Sequence, residues 1–199
     1  MRTFRLFVLV AGVVALCSCG AVRPSKYYTL EVPSGPVAAP SNPYAAALLV
    51  GRLTAPHLYR DTRVVYRTGT TEIGTYEYHR WVEPPTDMIE AVLIRVLRAS
   101  GKYTSVQRQG ANARGDYIIR GRLNEFGEVN SGALTARISL EMELYDVKSG
   151  TTVWTHLYNH DEPVSGKAVP AVVEALNRNA QAGIGEVAAS LDRFFASRK

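Results

Sequence analysis

The chain has 199 residues, 46% of them hydrophobic, a formal net charge of +5 and two cysteines, Cys17 and Cys19. Removing residues 1–18 takes away two arginines and no carboxylate, leaving +3, which is ordinary for a soluble domain and no argument for nucleic acid. The remaining apolar content suits one substantial core, so a single domain is expected, with no second apolar stretch long enough to cross a membrane.

Arg2 and Arg5 open the chain, and residues 6–16 form an uninterrupted apolar run. That run is well short of the ~20 residues that span a bilayer. A basic start, a short apolar stretch and small residues at its end describe a secretory signal. The ending Leu16-Cys17-Ser18-Cys19 resembles the lipobox of bacterial lipoproteins, with Leu at −3, a small residue at −1 and then the cysteine to be acylated. Residues 1–18 are thus expected to be a lipoprotein signal peptide, with Cys19 the lipidation site. Residues 19–26 would be a lipidated tether and 27–199 the domain. Cleavage before Cys17 would leave the bulky Leu16 at −1. An ordinary cleaved signal makes Cys19 incidental, and a CxC redox or metal site would need partner ligands in a chain that has no further cysteine. Several acyl chains on one cysteine meet the multiple-anchor condition for stable attachment. Gly20 stands where an Asp would resemble an inner-membrane retention signal, which points to the outer membrane, facing the periplasm.

Along the domain, residues 27–32 are aromatic and β-branched and predict a strand. Residues 33–43 hold four prolines and read either as a spacer or as a loop crossing between strands. Residues 46–53 predict a buried strand; 63–67 and 75–79 predict two more, punctuated by Gly69 and Gly74. After Pro84-Pro85, Thr86 or Asp87 is placed to cap a helix, with Glu90 three beyond Asp87 as in a capping box. Met88, Ile89, Val92, Leu93, Val96 and Leu97 form its apolar stripe, and Gly101 ends it.

The clearest period is two. Leu134, Ala136, Ile138, Leu140, Met142 and Leu144 alternate with polar residues and Tyr145, predicting a long strand with one buried and one wet face. Residues 116–126 precede it, and the turn at Lys148-Ser149-Gly150 leads to 152–158, so three antiparallel strands form a meander. Arg120 and Arg122 fall opposite Glu141 and Glu143, giving either a charged groove or cross-strand ion pairs on a solvated face. A helix over 170–195 carries Val172, Val173, Leu176, Ala180, Ile184, Val187, Leu191 and Phe194 or Phe195 on one seam. Its other face mixes both charge signs, which favours core packing over membrane binding. Gly183 and Gly185 each cost ~1 kcal/mol relative to Ala and mark either close packing or a bend.

Catalytic chemistry is thinly supplied. His57, His79, His156 and His160 make no HxxxH or HExxH pattern in a helix, and the chain has neither GxSxG nor a phosphate-binding glycine loop. Asp161-Glu162 reads as a solvated turn. The expectation is a protein that is not an enzyme and carries no cofactor or metal.

Tyr27-Tyr28-Thr29-Leu30, Arg63-Val64-Val65-Tyr66-Arg67 and Tyr78-His79-Arg80-Trp81-Val82-Glu83-Pro84-Pro85 follow the lipobox in order. Asp116-Tyr117-Ile118-Ile119-Arg120-Gly121, Ser149-Gly150 before Val153-Trp154, and the late helix with Leu176-Asn177 come next. In this order and spacing the chain resembles the ABC-type transport auxiliary lipoproteins. These are similar to the paraquat-inducible lipoprotein that accompanies MCE-domain proteins in lipid transport between envelope membranes. The resemblance implies an α/β (α+β) domain, a mixed sheet with two main helices packed on it, held at the outer membrane. It also implies a periplasmic MCE-domain partner of an ABC system, a ring-shaped homo-oligomer, and no catalytic residues. A different anchored lipoprotein, one that activates a cell-wall synthase, is the competing expectation, and a periplasmic hydrolase with a cryptic site is a third.

Residues 76–85 concentrate aromatics before two prolines. Tyr78, Arg80 and Trp81 are candidate partner contacts, since Tyr, Trp and Arg dominate interface hot spots. The alternative for Trp81 is a plug at the start of the helix near Thr86.

Overall fold

Both edges of β6 (Tyr117–Asn130) are used along its length, and this organises the fold. The computed structural model describes residues 23–31, 43–110 and 112–198. The signal peptide, Cys19 and nearly all of the proline-rich stretch lie outside the described residues. One edge of β6 runs antiparallel to β7 (Leu134–Asp146), which pairs in turn with β8 (Thr151–Pro163), completing the predicted meander. The other edge divides. Its first half pairs in parallel with β2 (Tyr44–Thr54), and its second half with β3 (Arg63–Thr68). From β2 the sheet continues to β5 (Tyr103–Arg108). From β3 it continues to β4 (Glu72–Trp81) and then β1 (Lys26–Tyr28). The fold is a single α+β domain with a mixed sheet of eight strands and two helices.

Alternation in β7 produces the expected division. Ala136, Ile138, Leu140, Met142 and Leu144 are buried, and the helices α1 (Pro85–Ala99) and α2 (Val169–Ala196) cover the sheet on that side. The α2 seam is buried as predicted, with Phe195 rather than Phe194 in the core, where its ring meets Tyr44, Tyr103 and Tyr117. A Cβ on Gly183 would lie 2.6 Å from the Tyr158 ring, so this glycine serves close packing, whereas a Cβ on Gly185 would meet nothing. Gly101, at φ +63°, ends α1 in the left-handed conformation that favours glycine.

Three local expectations are corrected. The first strand is only Lys26–Tyr28, because beyond it the backbone turns to α2: Glu31 N–H donates to Asn177 Oδ1 at 2.8 Å and its carbonyl accepts from Gln181 at 3.3 Å. No capping box forms. The α1 N-cap is Pro84, Pro85 at the first helical position needs no amide partner, and Glu90 turns inward instead. Glu90 is 1% exposed, accepts the Leu53 N–H at 2.6 Å and pairs with Arg108. Finally, β5, the edge strand beside β2, adds an element beyond the predicted set.

Candidate interaction surface

The face of the meander away from the helices is concave near the start of β6. Register sets Arg120 opposite Glu143 and Arg122 opposite Glu141, and β8 continues the rows with Thr155 and Leu157. Arg52 and Thr54 enter from the end of β2, and together these residues line a groove of about 560 Å³. Gly121 lies at its floor, where a Cβ would come within 2.5 Å of the Glu141 carbonyl, so β7 approaches β6 closely here.

Both readings of the arginine and glutamate rows describe this groove. Arg120 Nε is 2.9 Å from Glu143 Oε1, and its guanidinium lies 4.5 Å above the Tyr145 ring centroid. Arg122 Nε donates to Asn124 Oδ1 at 3.0 Å, and Asn124 Nδ2 donates to Glu141 Oε1 at 2.8 Å. Such solvated pairs contribute about 0–1 kcal/mol each; their larger effect is to order the side chains. Arg52 makes no hydrogen bond or ion pair among the described residues, and Leu157 is 62% exposed. The groove therefore offers a cation without a hydrogen-bonded partner among the described residues, neutral polar edges and an apolar wall, the mixture found at protein–protein contacts.

The three residues picked from 76–85 are divided by the fold. Trp81 is 1% exposed, edge-on to Phe126 at 5.4 Å and to Tyr28 at 6.3 Å, a core position. Tyr78 and Arg80 are half-buried on the strand that carries it. Tyr78 lies under the Arg23 guanidinium, 5.3 Å from ring centroid to cation. Arg80 faces Tyr27 of β1 on one side and Arg63 of β3 on the other. The Arg63 N–H donates to Asp61 Oδ1 at 3.1 Å; this bond first, and then the charges of Arg63 and Arg80, hold the Asp61 carboxyl below its usual range. On the opposite face of β4, His79 shares a 2.8 Å hydrogen bond with the Tyr28 hydroxyl. Burial, and then Lys26 and Arg23, lower the His79 pKa.

Several other titratable groups are occupied structurally. Arg137 grips Asp161 through two hydrogen bonds of 2.6 and 2.7 Å and reaches Glu125, which also pairs with Arg67. Glu162 pairs with Arg178 at 2.9 Å, so the adjacent carboxylates Asp161 and Glu162 tie β8 to β7 and α2. His156 lies 3.0 Å from Glu186 on α2, and His160 stands beside Glu162. Among the described residues no three histidines, cysteines or carboxylates converge as metal ligands, and no helix is long and apolar enough to cross a membrane.

Sequence reasoning did not find Asn179 or the role of Glu90. Asn179 is fully buried in the α2 seam, donating to the Ala136 and His160 carbonyls at 2.8 and 2.9 Å and accepting from Tyr158 at 2.6 Å. The signal in both cases is a polar residue at an apolar periodic position: Asn179 three beyond Leu176, Glu90 three before Leu93.

The family model for the ABC-type transport auxiliary lipoprotein component matches residues 28–188. A protein of Xanthomonas campestris from a domain family of unknown function has a similar structure (TM-score 0.77, 23% identity, covering 88% of this chain and all of that one). An uncharacterised protein is similar at TM-score 0.66 and 15% identity, covering 85% and 99%. A PelC dodecamer from Paraburkholderia phytofirmans is similar at 0.46 and 20%, covering 80% and 96%. At these identities the first two structures establish the shared fold. No curated protein matches in sequence. The family match takes in β2 to β8, α1 and most of α2, groove included, and the chain belongs to the family of ABC-type transport auxiliary lipoprotein components.

Proposed function

We propose that this protein is a non-catalytic auxiliary subunit of an MCE-type ABC lipid transport system, anchored in the outer membrane through Cys19 and joining the periplasmic MCE protein to that membrane. The observation that carries the reading is the family match over residues 28–188, which takes in nearly the whole domain. In this reading residues 1–18 are the cleaved signal, 19–26 the lipidated tether and 27–199 the working domain, assembling with further copies of itself. The groove of Arg52, Arg120, Arg122 and Leu157 receives the protein partner. Tyr78 and Arg80 make a second contact, with Trp81 supporting their strand from the core.

A photoreactive residue in place of Leu157, which is exposed in the groove, tests this in cells. Light-dependent crosslinks to an MCE-domain protein are expected. Crosslinks to a cell-wall synthase instead would transfer the protein to the competing role of synthase activator.

A further inference from the structure

The end of the tether is fixed by the sheet. Residues Lys26–Tyr28 pair with His79–Trp81 of β4, and Arg23 packs on Tyr78. Only three residues lie between Cys19 and Arg23, and at full extension the four steps reach ~14 Å. A lipid-anchored Cys19 therefore keeps this corner of the domain within ~14 Å of the bilayer surface.

The corner gathers basic side chains that have no carboxylate partner among the described residues. Arg67, Lys102, Arg108, Arg120, Arg137 and Arg178 each have a carboxylate partner. Arg23, Lys26, Arg63 and Arg80 form no ion pair among the described residues, and Arg63 and Arg80 oppose each other across neighbouring strands. Like charges placed opposite are destabilising in a sheet. Asp61 offsets part of that repulsion, and Glu77 and Glu83, the carboxylates beside this segment in sequence, pair with none of the four cations. Tyr27 is 64% exposed beside them. Unpaired cations beside an exposed tyrosine ring suit an anionic headgroup layer, where amphipathic rings settle at the interface and basic residues are attracted by the surface potential.

We propose that Arg23, Lys26, Tyr27, Arg63, Tyr78 and Arg80 form a membrane-docking corner that rests on the anionic lipid headgroups of the leaflet holding the acyl chains of Cys19. This rests on the anchoring reading and adds an orientation to it. The contact made by Tyr78 and Arg80 is with lipid. The groove, on the meander, remains available to the protein partner.

The test uses the mature lipidated protein in vesicles of phosphatidylglycerol and phosphatidylethanolamine, or of phosphatidylcholine alone. Because Cys17 leaves with the signal and the Cys19 sulfur is acylated, an introduced cysteine carries the one free thiol. An environment-sensitive dye is placed at Tyr27→Cys and, as control, at Lys148→Cys in the β7–β8 turn, at the far end of β6. Flotation with the vesicles reports the anchor. Docking is expected to blue-shift the Tyr27→Cys dye in anionic vesicles and leave the Lys148→Cys dye unchanged. The shift should be lost in Arg63→Glu/Arg80→Glu, and reduced when salt shortens the screening length. If that variant loses its melting transition, Arg23→Glu/Lys26→Glu at exposed positions replaces it. Protein that stays in solution overturns anchor and docking together. Floating protein whose Tyr27→Cys dye reads water, or reads the same in both lipids and after charge reversal, overturns docking alone. A dye that shifts only when the transport partner is added assigns the corner to protein and overturns docking as well.

Discussion

Replacing Trp81 by Ala tests whether this residue holds the β1–β4 corner from within. A buried Trp removes about 150–250 Å² from water, and at ~25 cal/mol per Å² this amounts to about 4–6 kcal/mol as an upper bound. The alanine methyl recovers a little of that area, while the loss of the edge-on contact with Phe126 adds about 0.5–1.5 kcal/mol. The expected cost is about 4 kcal/mol, within the ~3–5 kcal/mol range for large aromatic truncations in cores. At about 2–4 °C per kcal/mol for a domain of this size, melting should fall by roughly 8–16 °C. Urea unfolding followed by far-UV circular dichroism gives the free energy directly, and Trp81→Phe should recover part of it. A loss below about 1 kcal/mol would refute the core assignment, since 1% exposure leaves no solvent-facing surface to explain so small an effect.

Three further outcomes are expected. Arg108→Met leaves Glu90 buried without its cation; breaking fully buried pairs costs ~3–5 kcal/mol, and since Arg108 is half exposed about 1–3 kcal/mol is expected in urea unfolding. Burial holds the Glu90 carboxyl above its ordinary value of 4.5, so the folded state binds protons more readily and this group's contribution is lost as pH rises through the folded pKa. The deficit of Arg108→Met relative to the parent should therefore shrink as pH falls from neutral towards 4.5, and a pH-independent deficit would contradict the account. Gly183→Ala should cost about 1–3 kcal/mol through the Tyr158 ring, while Gly185→Ala should gain up to ~1 kcal/mol from helix propensity; equal effects of one sign would count against it. Cys19→Ser behind a non-lipoprotein signal should melt like the parent domain yet appear in the soluble periplasmic fraction, because no residue of the core depends on the lipid.

Periodicity made most of the elements legible. The alternation in residues 134–144 and the three- and four-residue steps of residues 172–195 identify β7 and α2 because each buries one face, and burial writes itself into the sequence at the period of the element. Strand β5 was not legible: Tyr103 and Val106 are its buried residues, three apart, a spacing that fits neither period cleanly. Strand β1 is too short to show a period, and its pairing with residues 79–81 is a contact between distant parts of the chain. Glu90 illustrates a conflict of local rules. Its spacing from Asp87 matches a capping box, but it also falls on the α1 stripe, and tertiary contacts with Leu53 and Arg108 decide in favour of burial. The facing rows of the groove followed from alternation, but its concavity needs Arg52 and Thr54 from β2 and Leu157 from β8, which no local pattern brings together.

The central claim, an anchored subunit serving an MCE transport system, is tested most directly by affinity purification of the tagged, lipidated protein from detergent-solubilised native membranes. Mass spectrometry of the intact protein reads acylation of Cys19, and mass spectrometry of its peptides reads the partners. The account predicts an acylated chain beginning at Cys19 that co-purifies with an MCE-domain protein. An unacylated chain, or an acylated one that brings down a peptidoglycan synthase and no MCE-domain protein, would contradict it.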